Sequence, residues 1–293
     1  MPTPEQRLQT VDNAIREISH IATLPEITVK IVELVENPKS TAQDLHKVIS
    51  QDPALCSRIL KVVNSSFYGL PGQIGSINRA IVMLGLNAVK NIAIAASLVK
   101  LFRGGDLGKG FSAKQIWDHS SLTAGCCKLI SDQLKLGLND EAYLAGLVHD
   151  IGIVVEMQFD RNKLIEALQK TSCDSAGAPA NDLLTIEDAV FGANHQDFGM
   201  ALCEKWKFPK NFSYVTGFHH RPLDLAFENR TLTCVVYLAD RLAAEFPTPF
   251  RADLHSLDID AGVLDQLKIT SDRLKSIRDA MHNIVKAPMD AAA

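Results

Sequence analysis

Leu144-Ala145-Gly146-Leu147-Val148-His149-Asp150-Ile151-Gly152 is an apolar, helix-forming run that ends in an adjacent histidine and aspartate. Gly152 reads as the stop of that helix. A neutral imidazole and a carboxylate side by side can both reach one metal ion, or the carboxylate can bridge two. The plainer alternative is that His149 and Asp150 only cap a helix end. A buried carboxylate is costly without a partner, so a positive group is expected opposite Asp150.

Helical signals extend outward from this stretch in both directions. Thr10 to Glu17 reads as a first helix, and Pro25 suits the first turn of a second that runs to about Glu36. Thr41 or Ser40 can cap the next, with Asp44 in the capping-box position. Asp52-Pro53 gives an N-cap followed by a proline at the first helical position. Asn64 to Gly72 is turn-rich, Ser76 starts a helix stopped by Gly85, and Leu86 to Phe102 is apolar on nearly every face, as a central buried helix would be. The glycine-rich stretch Arg103 to Gly110 lacks the spacing of a phosphate-binding loop and reads as a connector.

Ser112 begins a long helix through His119, and Asp160 to Lys170 is amphipathic. Thr171 to Asn181 reads as a surface loop. Thr185 is placed to cap a helix with Asp188 in the box position. Further helices are expected through Leu202 and Trp206, over Tyr214 to His220, over Leu232 to Ala244, and from about Ser271; Pro288 to Ala293 reads as disordered. No strand pattern or internal repeat is evident, so the fold class is all-α.

The chain has 293 residues, enough for one large domain or two. Hydrophobic residues at 46% and charged residues at 22% are an ordinary globular balance. A net charge of -4 gives no global attraction to nucleic acid or to an anionic membrane. The start lacks the basic segment and apolar core of a secretory signal, and the longest apolar run, Ile92 to Val99, is too short to span a bilayer. A cytoplasmic location is expected. The six cysteines include no CxxC spacing and read as reduced core thiols.

The order Leu24-Pro25, ISQDPAL (Ile49 to Leu55), RILKVVNS (Arg58 to Ser65), Tyr68-Gly69 and SINRAIVMLG (Ser76 to Gly85) resembles the HDOD domain family from about Ile18 to Leu242. These are all-α bacterial signalling domains related to HD-type metal phosphohydrolases. The resemblance implies a multi-helix HD-domain-like bundle. An extension, 1–17, would precede a domain at 18–242, made of an N-terminal helical subdomain (18–105) and a metal-site subdomain (112–242). A helical extension with a disordered tail would follow over 243–293.

The candidate donors, in order, are His119, His149, Asp150, His195, His219, His220 and Asp240, all in or at the ends of expected helices. Helix bundles build metal sites from facing helices. The order H…HD…H…HH…D resembles the ligand series of HD-type hydrolases, including the HD-GYP branch. That resemblance implies one ion held by His119, His149, Asp150 and Asp240. Asp150 would bridge to a second held by His195 and His219, with His220 adjacent. Such donors suit Fe, Mn, Zn or Ni. His20, His46, His255 and His282 fall outside the series.

Two departures from the HD-GYP pattern argue against hydrolysis of cyclic dinucleotides. Ile153 stands where HDIGK has its lysine, and Arg221-Pro222-Leu223-Asp224 follows the paired histidines in place of a Gly-Tyr-Pro motif. An isoleucine offers no cation to a phosphate. Arg221 and Arg241 are the remaining candidate cations. The expectation is therefore a regulatory, metal-binding HDOD module that acts by binding a protein partner or a small phosphorylated signal, with its input or output elsewhere. The alternative is a metal-dependent phosphohydrolase, with Asp150 as its catalytic residue.

Overall fold

The structure is a computed structural model that describes residues 2–18, 26–64, 68, 70–102, 105–108, 111–246 and 250–285. The expectations for Pro25, for most of the loop after Asn64 and for the tail from Pro288 fall outside these residues.

The helices are α1 (Pro4–Glu17), α2 (Glu26–Glu36), α3 (Ala42–Ile49), α4 (Pro53–Val63), α5 (Ile77–Leu84) and α6 (Leu86–Leu98), which continues as a 3-10 turn, Val99–Phe102. After a two-stranded hairpin come α7 (Ala113–Gln133), α8 (Asn139–Val148), α9 (Ile151–Phe159), α10 (Arg161–Lys170), α11 (Leu183–Val190), α12 (His195–Lys205), α13 (Lys210–Phe218) and α14 (Arg230–Ala244). Two further helices are α15 (Ala261–Leu267) and α16 (Ser271–Val285). The fold class is all-α, with one exception to the reading of no strands. Asp106–Gly108, inside the segment read as a plain connector, pairs antiparallel with Phe111–Ser112, just beyond it.

Local chemistry explains most boundaries. Thr41 and Asp44 form a reciprocal capping box, and Asp52, Ser76 and Ser112 each accept a backbone N–H at the start of α4, α5 and α7. Each such cap contributes about 1 kcal/mol. Two expectations change. The first helix starts earlier, at Pro4, because Thr3 and Gln6 form a capping box ahead of it. Helix α11 is capped by Asp182, not Thr185; the Thr185 hydroxyl instead donates to Asp182 at 2.6 Å, and Asp188 pairs with Arg7. The short helix α15 was not expected; Asp260 caps it.

Helix α6 is buried all round, as its apolar pattern requires, and it packs on α2, α4 and α8. It thereby joins the helices before the hairpin to those after it. Among the described residues one stretch, Asn139–Phe159, is long and apolar enough to cross a membrane, and 83% of its window is buried inside the protein. That stretch is α8 and α9, the centre of the bundle.

A candidate metal centre at the joint of two helices

Helices α8 and α9 meet at His149 and Asp150, whose backbones stay in or near the right-handed helical region. The chain therefore bends without unwinding, and both side chains point into the bundle, fully buried. Asp150 makes no side-chain capping bond, so capping does not account for it. Gly152 is not a helix stop. It lies inside α9, where a Cβ would come 1.8 Å from the His195 carbonyl oxygen and 2.9 Å from the Gly199 nitrogen. No side chain fits there, and that absence lets the N-terminus of α12 bring His195 toward Asp150. Gly146 does the same six residues earlier: a Cβ would meet Cys127 Sγ at 2.7 Å and the Ala124 backbone at 2.8 Å. This close approach of α8 to α7 places the His119 and His149 rings 5.6 Å apart.

All seven residues singled out in the sequence converge, six of them fully buried and His220 nearly so. The two oxygens of Asp150 face two groups. Oδ2 is 3.2 Å from His149 Nε2, on the side of His119 and Asp240. Oδ1 is 3.3 Å from His219 Nε2 and 3.9 Å from His195 Nε2. Asp240 Oδ1 sits 2.9 Å from His119 Nε2 and 3.7 Å from His149 Nε2. His195 and His220 bring their Nε2 atoms to 3.0 Å of each other.

The outward ring nitrogens of His149, His195 and His219 are already committed, whereas His119 Nδ1 is buried without a partner among the described residues. His149 Nδ1 donates to the Gly146 carbonyl at 2.7 Å, and His219 Nδ1 to the Val215 and Thr216 carbonyls at 3.2 Å. His195 Nδ1 donates to Glu187 Oε2 at 2.8 Å; the same oxygen accepts the His195 backbone N–H at 3.0 Å. A carbonyl cannot donate, so the proton of the neutral ring sits on Nδ1 and Nε2 turns inward as a lone pair. That is how ligating imidazoles are held in metal sites.

The inward atoms lack hydrogen-bond partners. His149 Nε2, His219 Nε2, both oxygens of Asp150 and Asp240 Oδ2 are buried without one among the described residues. Leaving so many polar atoms buried and unsatisfied is costly. A divalent cation would satisfy them together, so the donor set fits a metal of the kind that accepts imidazole and carboxylate ligands.

Electrostatics says the same. Burial opposes the charge on His149, but Asp150 and Asp240 outweigh it and hold this imidazole well above its ordinary range. Burial likewise opposes charge on His195, and Glu187 overrides it, raising that ring to about 9. Burial would raise Asp150, yet His149 and His219 pull it well below the usual carboxylate range. The positive group expected opposite Asp150 is thus a set of imidazoles. Burial and then the crowd of neighbouring imidazoles push His220 well below its ordinary value. Without a metal, protons on some of these rings must supply the positive charge.

Several residues at the site were not legible in the sequence. Glu187, from α11, orients His195. Glu156, from α9, is fully buried; burial and the adjacent Glu187 raise it well above the carboxylate range, so it is a neutral acid. Asp253 lies beyond α14, with its carboxylate 3.9 Å from His220 Nε2. Burial and then the charges of Asp150 and Asp240 raise it to about 7. A mid-helix glutamate and a loop aspartate carry no spacing signal.

The candidate cations do not reach the donors. Arg241 donates to the carbonyls of Asp258 and Tyr237 and stacks on the Tyr237 ring at 3.5 Å. The Arg221 side chain is 54% exposed and lies 3.8 Å from Asp224. Ile153 is fully buried. The vicinal thiols Cys126 and Cys127 belong to the core, where burial pushes both well above the ordinary thiol range.

Comparison with known proteins agrees with this architecture. An uncharacterized protein of Treponema pallidum (strain Nichols) is 27% identical over 243 residues, 80% of this chain and 45% of the relative, so the chain spans less than half the length of that protein. A solved structure from Shewanella amazonensis SB2B, provisionally named a phosphohydrolase, matches with a TM-score of 0.72 at 22% identity, covering 95% of this chain and 96% of its own. One from Marinobacter aquaeolei VT8, provisionally named a signal transduction protein, gives 0.74 at 21% identity, covering 98% and 64%. At these identities the likeness is one of fold. The HDOD domain model matches residues 21–222, and the chain belongs to the HDOD domain family.

Proposed function

We propose that the chain is a regulatory HDOD protein that holds one or two divalent transition-metal ions and acts by engaging a protein partner or a small phosphorylated signal in the cytoplasm. The ligands in this reading are His119, His149, Asp150, His195, His219, His220 and Asp240. The division into residues 18–105 and 112–242 belongs to the same proposal, with the first part free to present a binding face.

The observation that carries the metal reading is the inward set of unsatisfied Nε2 and carboxylate atoms, fixed from behind by Gly146, Glu187 and the α13 carbonyls. What supports regulation over catalysis is closure. The donors are buried, and Arg241 is committed elsewhere while Arg221 is exposed. A hydrolytic metal site needs an open coordination position and a cation for the phosphate. A bound divalent ion would neutralise the carboxylates and tie α7, α8, α12, α13 and α14 to one point. In a hydrolase it would also polarise water and phosphate. The arrangement of donors on both oxygens of Asp150 favours a phosphohydrolase as the second reading.

The test is a hydrolysis screen of the Mn- and Fe-loaded full chain against nucleotides and phosphodiesters. No turnover above the Asp150→Ala variant is expected. Turnover that disappears in that variant would overturn the regulatory reading and establish the phosphohydrolase.

A further inference from the structure

Past α14 the chain returns to the metal centre. Phe250, Ala252, Asp253 and Leu254 are all buried, although this segment is neither helix nor strand and lies beyond residue 222, where the family match ends. Phe250 packs edge-on against Phe111 at 6.0 Å and lies 6.3 Å from the His119 ring. The Leu254 N–H donates to the Arg251 carbonyl at 3.1 Å, closing a turn that carries Asp253 inward.

The Asp253 side chain is fully buried, and neither carboxylate oxygen has a hydrogen-bond partner among the described residues. A ligand atom of Asp253 lies within 4.8 Å of ligand atoms of both His220 and Asp240. Phe250, Ala252 and Leu254 are buried apolar neighbours in sequence of a carboxylate that accepts no hydrogen bond among the described residues. Such a group is expensive unless a cation meets it. No other feature of this segment explains why an aspartate, rather than an apolar residue, is driven into that position.

We propose that Asp253 is an internal carboxylate ligand of the metal centre, carried in by the segment 250–254, and that it fills the coordination position an exogenous anion would otherwise take. This rests on the metal reading above. The segment then acts as a built-in plug: with it seated, an inorganic anion cannot reach the metal; with it withdrawn, one position opens. The external ligand admitted on opening is an oxyanion, phosphate or carboxylate, because it replaces a carboxylate.

The test uses the full-length protein loaded with Co(II), whose visible spectrum reports the number and kind of ligands, titrated with inorganic phosphate. The parent is expected to bind Co(II) and to keep its spectrum when phosphate is added. Asp253→Asn, which keeps the volume of the side chain, and Asp253→Ala are expected to change the spectrum and to weaken Co(II) binding by about tenfold or more. Both are expected to shift again with phosphate. A parent that takes up no Co(II) defeats the metal reading itself. A loaded parent with variants identical to it in spectrum and affinity overturns the ligand role of Asp253 alone. A parent that responds to phosphate, or variants with a changed spectrum that ignore phosphate, overturn its role as the plug.

Discussion

The helices before the hairpin and those after it treat buried polar groups in opposite ways. In the first region, the charged and amide groups near the core find partners inside the protein, while Thr28 Oγ1 is a buried atom left without one among the described residues. Lys90 donates to the Leu34 carbonyl and to Ser40 Oγ, Arg58 to the Ala96 carbonyl at 3.0 Å, and Asn64 exchanges two bonds with Ile74. In the second region, three imidazoles are fixed from behind while their other nitrogens, with Asp150, Asp240 and Asp253, face one another. Those groups of the first region need no added ion. The second is complete only with positive charge at its centre, supplied by protons or by metal. Selection for packing alone would replace such a cluster with apolar residues, which fill a core at lower cost.

Substitutions sharpen this contrast, from the largest expected effect down. Asp150→Ala removes the carboxylate that faces both donor groups. It should abolish metal binding and cost about 3–5 kcal/mol, as breaking a buried charged network does; elemental content and denaturant midpoint read both. Gly152→Ala forces a methyl group into the His195 carbonyl. About 3 kcal/mol or more is expected, at the upper end for overpacking, with metal affinity lowered because His195 must move; equal stability would show that α9 and α12 separate freely.

Arg7→Ala tests how α1 supports the site. Arg7 bridges Asp188 and Asp197, and Asp197 closes the capping box of the helix that begins with His195. The ion pairs are partly exposed, so about 1 kcal/mol is expected, with faster amide exchange confined to the start of α12.

Glu156→Gln tests the neutral acid behind Glu187. The native carboxyl keeps a proton that the unfolded chain releases above about pH 4.5, its ordinary value. The native state then binds more protons than the unfolded state, so the parent loses stability as pH rises through that window. Glutamine cannot titrate. The variant should match the parent near the low end and gain on it steadily toward neutral pH, in melting temperatures measured across the range. A constant difference at all pH values would remove the neutral-acid assignment. Val82→Ser, on an 82% exposed residue of α5 in the first region, should change stability by less than about 0.5 kcal/mol.

The sequence made the local chemistry legible. Thr41 with Asp44, Asp52 before Pro53, Ser76 and Ser112 act within a few residues of themselves, so their reading needs no tertiary information. The convergence of the seven residues was readable because an ordered series of rare residue types survives translation into space. Readings failed where a partner distant in sequence decides the matter. Gly152 has the composition of a helix stop, but its role is set by the carbonyl of His195. Thr185 with Asp188 fits a capping box, but Arg7 engages Asp188 and Asp182 takes the cap. Glu187 and Asp253 become part of the site only through packing, one from a helix face and one from an irregular segment.

The most direct measurement is elemental analysis of the full chain purified without added metal or chelator, followed by melting before and after chelation. The expected result is about one or two transition-metal ions per chain, the range a two-ion site permits, with a clear fall in melting temperature when they are removed. Protein that carries no metal, takes up none of Mn, Fe or Zn, and melts unchanged with chelator would contradict the account. The charge at the centre of the second region would then be carried by protons on the histidines alone.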